Sequence, residues 1–163
     1  MEIIKFEKDI KLILNHILFN QLIECVKSAS PNEACGLLFG TVKEIEYTGK
    51  YQYHYIGKKF NCIESNQKSP VTFLMNNLEE INRIFQDAFQ KDNLRLISIF
   101  HSHPGGTYPS ETDFSNMRSL DNCGNKAFKN QIWAIMNARN KKLNGYILFN
   151  DEFMQIEVEI KNS

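Results

Sequence analysis

One stretch of this chain constrains the fold more than any other. Residues 94–100 read Leu-Arg-Leu-Ile-Ser-Ile-Phe, so five of the seven side chains are apolar. A short and nearly continuous apolar run is typical of a strand that is covered on both faces, whereas a surface strand alternates between apolar and polar residues. The sequence therefore predicts a central strand over Leu94–Phe100, in a sheet that is flanked by other layers of structure.

Three helices are predicted around this strand. The first covers Leu14–Ala29, where apolar residues recur at helical spacing and Pro31 follows the last turn. The second covers Leu78–Phe89, with Asn77 as its candidate N-cap. The third begins near Ser110. The order of these helices relative to the central strand indicates that helices and strands are mixed along the chain.

Further strands surround the central one in the prediction. They are Ala34–Phe39, a hairpin of Thr41–Tyr47 and Tyr51–Ile56, and three C-terminal strands near Gln131–Met136, Gly145–Phe149 and Met154–Ile160. Because helices and strands do not alternate strictly, we expect a layered α/β (α+β) fold with a mixed central sheet flanked by helices. The length of 163 residues suits one domain over residues 1–163.

The central strand leads directly into His101-Ser102-His103-Pro104. Side chains at i and i+2 of a strand point to the same side, so His101 and His103 can face one point. Pro104 and the two glycines after it predict a turn, which can bring Asp113 back over that point from the start of the third helix. Two imidazoles and a carboxylate are a ligand set that zinc accepts, and three protein ligands leave a fourth position open, as in catalytic sites.

Each of these signals also has a simpler interpretation. A His-x-His pair at the end of a strand is usually not a metal site, and Ser110 with Asp113 matches a helix capping box. Capping and metal binding are compatible, because a residue in the first helical turn can point out of the helix end. Glu33 stands at the start of an apolar strand, where a carboxylate either faces solvent or serves a site, and spacing alone does not select it among the glutamates.

Taken together, these segments resemble the JAMM (MPN+) metalloprotease family. The family pattern is an early glutamate, then His-Ser/Thr-His-Pro, a short loop and Ser-x-x-Asp, and here it is matched by Glu33, residues 101–104 and residues 110–113. Residues 31–40 also resemble the Pro-x-Glu-x-Cys-Gly-Leu-Leu-x-Gly segment of compact prokaryotic members. The loop between the second histidine and the serine has six residues, one fewer than is usual in the family. Its glycines can absorb the difference, so the ligands are still expected to converge.

The resemblance implies an MPN/cytidine-deaminase-like fold and a zinc metallopeptidase that hydrolyses amide or isopeptide bonds. It assigns His101, His103 and Asp113 to Zn²⁺, Glu33 to proton transfer from water to the leaving amine, and Ser110 to a hydrogen bond with the developing oxyanion. The implied substrate is the Gly-Gly tail of a ubiquitin-like or sulfur-carrier protein. Two alternatives stay open. One is a non-catalytic MPN scaffold that binds partners, and the other is a metal hydrolase of a small amino-acid adduct on a carrier protein.

Charge and hydropathy bear on partners and compartment. Basic and acidic residues number 19 each, so the formal net charge is zero and nucleic acid is not the expected partner. Charged residues interrupt the N-terminal stretch, which therefore lacks the apolar core of a signal peptide, and no apolar run reaches the length of a transmembrane span. A cytoplasmic protein without a membrane partner is the expectation.

The cysteines and the basic residues near the C-terminus complete the candidates. Cys25, Cys35, Cys62 and Cys123 are widely spaced without a CxxC pair, so we expect four reduced thiols. Cys35 lies close to Glu33, but its apolar flanks favour core packing over a nucleophilic role. A basic cluster is typical of solvated loops, with substrate docking as the alternative. Its members are Lys126, Lys129, Arg139, Lys141 and Lys142.

Overall fold

The computed structural model describes residues 4–63, 77–124 and 126–162, except for the side chains of Leu78 and Ala127. Its elements are β1 (Lys5–Asn15), α1 (His16–Ala29), β2 (Cys35–Tyr47), β3 (Lys50–Ile63), α2 (Leu78–Asp92), β4 (Arg95–His103), α3 (Glu111–Asp121), a 3-10 turn (Lys126–Phe128), β5 (Ile132–Asn137), β6 (Leu143–Phe149) and β7 (Glu152–Lys161). Within the described ranges, no helix has both the length and the apolar character that crossing a bilayer requires.

The strands form one mixed sheet that closes on itself in the order β1-β3-β2-β4-β5-β6-β7, with β7 paired back to β1. Three neighbouring pairs are parallel, namely β1/β3, β1/β7 and β4/β5, and the other four are antiparallel. The predicted central strand lies between β2 and β5, and residues 96–100 are all buried. The predicted fold class, a mixed sheet with helices packed on it, is confirmed.

Alternate residues of β4 pack into two apolar clusters on opposite faces of the sheet. Ile99 belongs to a cluster that includes Met117 and Leu120 of α3, whereas Phe100 belongs to a cluster that includes Leu22 and Val26 of α1. Burial of a large apolar side chain stabilises a fold by about 1.5–3 kcal/mol. Because both faces of β4 are packed in this way, the end of the strand that carries the histidines is held in a fixed position.

Several predicted boundaries differ from the structure, among them the start of the first helix and the strands around Gly40. The first helix begins at His16 instead of Leu14, with Asn15 as N-cap accepting the Leu18 N–H at 2.8 Å. The residues before it form β1, a strand that the prediction missed because charged side chains obscure the alternation of its buried apolar residues. The strands predicted on either side of Gly40 are one strand, β2. A Cβ at Gly40 would lie 1.9 Å from the Ile56 carbonyl oxygen, so this glycine permits close approach of β3 rather than ending a strand.

The expectation of four reduced thiols is wrong. Cys25 in α1 and Cys62 in β3 form a disulfide, with their Cα atoms 5.8 Å apart, while Cys35 and Cys123 are free. The partners are 37 residues apart and no motif surrounds either of them, so only the packing of α1 against β3 reveals the pair. The disulfide therefore fastens the first helix to the sheet beside β2.

Breaking this disulfide should destabilise the chain. For a sequence separation of 37 residues, the loop-closure entropy lost by the unfolded chain corresponds to about 3–4 kcal/mol of unfolding free energy. We expect Cys62→Ser to lower the free energy of unfolding by up to this amount in urea titrations without reductant. Cys123→Ser, which removes an exposed free thiol, is the matched control and should leave the midpoint unchanged. An unchanged midpoint in Cys62→Ser would contradict a stabilising disulfide.

Candidate metal centre

The end of β4 presents two histidines side by side. His101 pairs with Cys35 of β2 on one side and with Ile135 of β5 on the other, and His103 pairs with Asn137 of β5. Their ring centroids are 5.0 Å apart, and the His101 residue is only 4% exposed. The two imidazoles therefore face the same side of the strand, as the i and i+2 spacing predicts.

Asp113 meets the two histidines from the start of α3. Ser110 is the N-cap of this helix: its Oγ accepts the Asp113 N–H at 3.1 Å, and Asp113 Oδ2 accepts the Ser110 N–H at 2.8 Å. The same carboxylate lies 3.1 Å from His101 Nε2 through Oδ1 and 3.0 Å from His103 Nε2 through Oδ2. The capping box is real, and it aims the carboxylate at the histidines. The short loop before Ser110 does not prevent convergence.

Three potential ligand atoms thus surround one point. The Nε2 atoms of His101 and His103 are 3.2 Å apart, and each also faces an oxygen of Asp113. If both Nε2 atoms carry a hydrogen and donate it to the carboxylate, neither can accept from the other, so the short contact between the two nitrogens has no hydrogen bond. A cation at the common point would satisfy all three groups together. This His-His-Asp group can hold a metal ion.

The electrostatics of the group favour an ionised carboxylate. Burial alone acts to raise the pKa of Asp113, but hydrogen bonds from His101 and His103 outweigh it, so the net pKa lies well below the ordinary range. The pKa of His103 is raised chiefly by its hydrogen bond to Asp113; burial opposes the rise, and the charges of Asp113 and Glu33 add to it. The carboxylate of Asp113 is therefore ionised beside the two imidazoles, and Glu33 lies near enough for its charge to raise the pKa of His103.

Glu33 lies in the loop between α1 and β2, outside any regular element, and its side chain is exposed. The next residue fixes its position: the Ala34 N–H donates to the buried Oγ of Ser102 at 2.8 Å, and the Ser102 N–H donates to the Ala34 carbonyl at 3.0 Å. Ser102 stands between the two histidines in sequence and faces away from them. It supports the site by attaching the backbone beside Glu33 to the strand that carries the histidines.

A cavity of about 440 Å³ gathers the predicted site residues. Glu33, His101, His103, Ser110 and Asp113 all line it. Its volume is within the roughly 300–1,000 Å³ of small-ligand sites. The Ser110 hydroxyl oxygen accepts from the helix, so its hydrogen stays available for donation into the cavity. The five residues that the sequence motifs singled out therefore lie together in the fold.

Other lining residues escaped the sequence analysis. Trp133 of β5 is buried, and its ring lies edge-on to His101 at 6.1 Å between centroids, so it forms a wall of the cavity as well as part of the core. Asn116, one turn after Asp113, also lines the cavity. Only the register of β5 and the orientation of α3 place these residues here, and no sequence signal marks them.

Cys35 is buried, and burial raises the pKa of its thiol to about 11, which disfavours a nucleophilic role.

The basic cluster is divided between the two ends of the sheet. Lys126 and Lys129 line a separate cavity of about 540 Å³ with Arg95, at the start of β4 and far along the strand from the histidines. This larger cavity includes none of the predicted site residues. Lys141 instead belongs to the turn that follows β5, at the same end as His103. The cluster seen in the sequence is therefore two separate groups.

Comparisons with known proteins agree with this description. A family model described as prokaryotic homologs of the JAB domain matches residues 16–151. Among solved structures, a protein from Desulfitobacterium hafniense is similar with a TM-score of 0.65 at 20% identity, covering 93% of this chain and 94% of that one. A JAB1/MPN domain protein from Archaeoglobus fulgidus gives a TM-score of 0.52 at 17% identity, covering 92% and 97%. No curated protein matches the chain by sequence.

Proposed function

This chain belongs to the family of prokaryotic homologs of the JAB domain, and on that premise we propose that it is a zinc-dependent amide hydrolase. One observation carries the proposal. The Nε2 atoms of His101 and His103 lie 3.2 Å apart, and each lies 3.0–3.1 Å from one of the two oxygens of Asp113, in the same cavity as the carboxylate of Glu33, which is not part of this group. A centre that only stored a metal ion would have no need of this additional carboxylate.

The distances suit zinc. In tetrahedral coordination with ligands at about 2.0–2.1 Å, neighbouring ligand atoms are about 3.3 Å apart. The Nε2 atoms of His101 and His103 are 3.2 Å apart, and the oxygens of Asp113 lie 3.0 and 3.1 Å from them. The observed distances are slightly shorter than the distance expected between neighbouring zinc ligands. The three side chains could therefore bind zinc with little rearrangement and leave a fourth coordination position open.

The side chains of the cavity divide the proposed chemistry among them. A zinc ion held by the three ligands would supply Lewis acidity, which lowers the pKa of a coordinated water to about 7 and polarises a carbonyl. Glu33 accepts the proton of the attacking water and delivers it to the leaving nitrogen. Ser110 donates its hydroxyl hydrogen to the carbonyl oxygen as negative charge develops there. The buried ring of Trp133 limits water on the side of His101.

We propose as substrate the C-terminal tail of a ubiquitin-like or sulfur-carrier protein that ends in Gly-Gly. Such a tail is extended and has no side chains near the scissile bond, so it can approach a centre that lies at the end of a strand. The proposal places the chain in the cytoplasm. The Cys25–Cys62 disulfide argues against that placement, because cytoplasmic thiols are ordinarily kept reduced, and the redox state of this pair in protein isolated from cells tests it.

The direct test is cleavage by zinc-loaded protein of Gly-Gly-tailed carriers and peptides joined through an amide to an amine. We expect release of the amine with about one zinc bound per chain, and loss of cleavage when the metal is removed by a chelator. A chain that binds zinc and cleaves none of these substrates would instead be a partner-binding scaffold. Cleavage that persists after complete removal of the metal would rule out the proposed chemistry.

Replacing Ser110 by alanine should slow catalysis without emptying the metal centre. Removal of one donor to a developing oxyanion typically lowers kcat by about 10²–10³. The variant also loses an N-cap, which costs about 1 kcal/mol of stability. Ser110→Thr retains the hydroxyl and the cap, and it is the matched control that should keep most of the activity. Steady-state kinetics on both variants decide the role, since equal losses would indicate that the hydroxyl is not a donor to the substrate.

A further inference from the structure

A second groove meets the candidate site at Glu33. Its volume is about 280 Å³, and Glu33 and Pro104 line both this groove and the 440 Å³ cavity. Its other walls come from the end of α1, from the loop before β2 and from the turn between β5 and β6. We call it the amine groove, because the proposed reaction places the leaving amine there. The two spaces therefore adjoin at Glu33, the proposed proton carrier, and at Pro104.

The proposed reaction fixes which part of the substrate lies in each space. The carbonyl oxygen must lie near Ser110, which lines the larger cavity and is absent from the lining of the amine groove. The leaving nitrogen must lie near Glu33, because this residue protonates it. The acyl part of the substrate therefore occupies the larger cavity, and the amine part continues past Glu33 into the amine groove.

A tight turn holds the ammonium group of Lys141 in the amine groove. The Asn137 N–H donates to the Lys142 carbonyl at 2.9 Å, and the Lys141 N–H donates to the Asn137 carbonyl at 2.8 Å. Lys141 Nζ itself donates to the Ala138 carbonyl. The Ala138 N–H in turn donates to the His103 carbonyl at 2.9 Å, so the turn is fastened to the strand that carries the metal ligands. Lys141 is therefore placed at a set position relative to the candidate centre.

Lys141 also gives the amine groove its positive charge. Lys27 lines the same groove, but Glu24 lies 3.4 Å from its ammonium group. None of the described carboxylates forms an ion pair with Lys141. Glu33 is acidic, yet it stands at the boundary with the larger cavity. A negative group on the leaving amine would thus meet an ammonium group that the described part of the chain leaves without a carboxylate partner.

From this arrangement we propose that the amine groove binds the leaving group as an α-amino acid, with its free carboxylate on the ammonium of Lys141. Lys141 is then a specificity-determining residue. This inference rests on the proposed function and narrows its substrate to a Gly-Gly end joined to an amino acid. The lysine side chain released from an isopeptide bond has no carboxylate at that position, so it would gain nothing from Lys141. A groove of 280 Å³ also suits one amino acid better than a folded partner.

The reaction balances as a simple hydrolysis. One water is consumed, a C–O bond forms at the glycine carbonyl carbon, and the C–N bond to the amino acid breaks. The acyl part leaves as a carboxylate and the amino acid leaves with an ammonium group, so both protons of the water end on the nitrogen, the first of them through Glu33. The carboxylate of the released amino acid is unchanged throughout.

Two matched peptides test the proposal on the full zinc-loaded chain. These are acetyl-Gly-Gly-alanine with a free carboxylate and the same peptide with a neutral C-terminal amide. We expect kcat/KM to be about tenfold higher for the acid, as is typical of a charge-assisted hydrogen bond. Lys141→Gln should bring the ratio near one by slowing the acid alone, and Lys141→Arg should restore part of the preference. Lys142→Gln, which removes the adjacent exposed lysine, should keep the wild-type ratio.

Calorimetry on the metal-free chain gives a second readout that does not need turnover. The acid should bind about tenfold more tightly than the amide, and Lys141→Gln should abolish this difference. The assignment would be overturned if the unsubstituted chain bound and cleaved the two peptides equally well, or if Lys141→Gln lowered kcat/KM and affinity equally for both. If neither peptide is cleaved but the acid still binds more tightly through Lys141, the hydrolytic function fails while the site stands. If both peptides are cleaved at the same rate, the hydrolytic function stands and the assignment of Lys141 fails.

Discussion

Substituting His103 by alanine should release the metal ion and abolish hydrolysis. The change leaves two of three ligands, and His103 is partly exposed, so removal of its ring should disturb packing little. We expect zinc to fall from about one per chain to a small fraction and the dissociation constant to rise by at least about 10², the scale on which even outer-shell partners of a metal act. Elemental analysis of dialysed protein measures the first quantity, and competition with a chelator measures the second.

The same loss can be followed optically. Trp133 is the only tryptophan of the chain, and its ring lies 6.1 Å from that of His101. Titration with Co²⁺ should therefore quench tryptophan fluorescence in the unsubstituted protein and fail to do so in His103→Ala. His16→Ala, which removes an exposed histidine at the start of α1, is the matched control and should behave like the parent protein. Full zinc content in His103→Ala would show that the ion binds elsewhere.

Replacing Glu33 by glutamine should separate metal binding from catalysis. The amide has nearly the same shape as the carboxylate but cannot carry the proton, so we expect kcat to fall by about 10²–10⁴. Zinc content should stay at about one per chain, because Glu33 is not among the three residues of the His-His-Asp group. The measurement is kcat on a Gly-Gly-tailed amide, with bound zinc determined on the same sample.

The control for Glu33 is Glu46→Gln, which alters an exposed glutamate near the tip of the β2/β3 hairpin. This variant should keep both zinc and turnover. If Glu33→Gln retained more than about a tenth of the parent kcat, the proton would be carried by another group and the proposed mechanism would need a different base. Loss of zinc in Glu33→Gln would instead make Glu33 part of the metal centre.

Local signals in the sequence predicted the frame of the candidate site. The apolar run before His101 predicted a buried strand, the i and i+2 spacing predicted that both imidazoles face one side, and the Ser110/Asp113 pair predicted a helix start. Each of these depends on residues that are close in the chain. The roles assigned to these residues remain predictions until zinc and turnover are measured.

Features that depend on register or on distant packing could not be predicted. The bond from Ala34 to Ser102 joins residues 68 apart and requires the alignment of β2 with β4. The Cys25–Cys62 disulfide requires the packing of α1 on β3. Lys141 looked like one of several basic loop residues, because sequence does not show that its turn is fastened to the carbonyl of His103. Strand β1 was missed since its charged residues mask the alternation of Ile10, Leu12 and the residues after them.

The three residues of the described His-His-Asp group lie within residues 101–113, on one continuous strand, loop and helix, whereas Glu33 comes from a distant part of the chain. Under the proposed function, metal binding and proton transfer therefore depend on different segments of the chain. If Glu33 has the proposed role, a descendant that exchanged this residue alone would lose hydrolysis and keep the fold, the metal ligands and the substrate-binding surface. A single substitution would then convert a hydrolase into a binding protein.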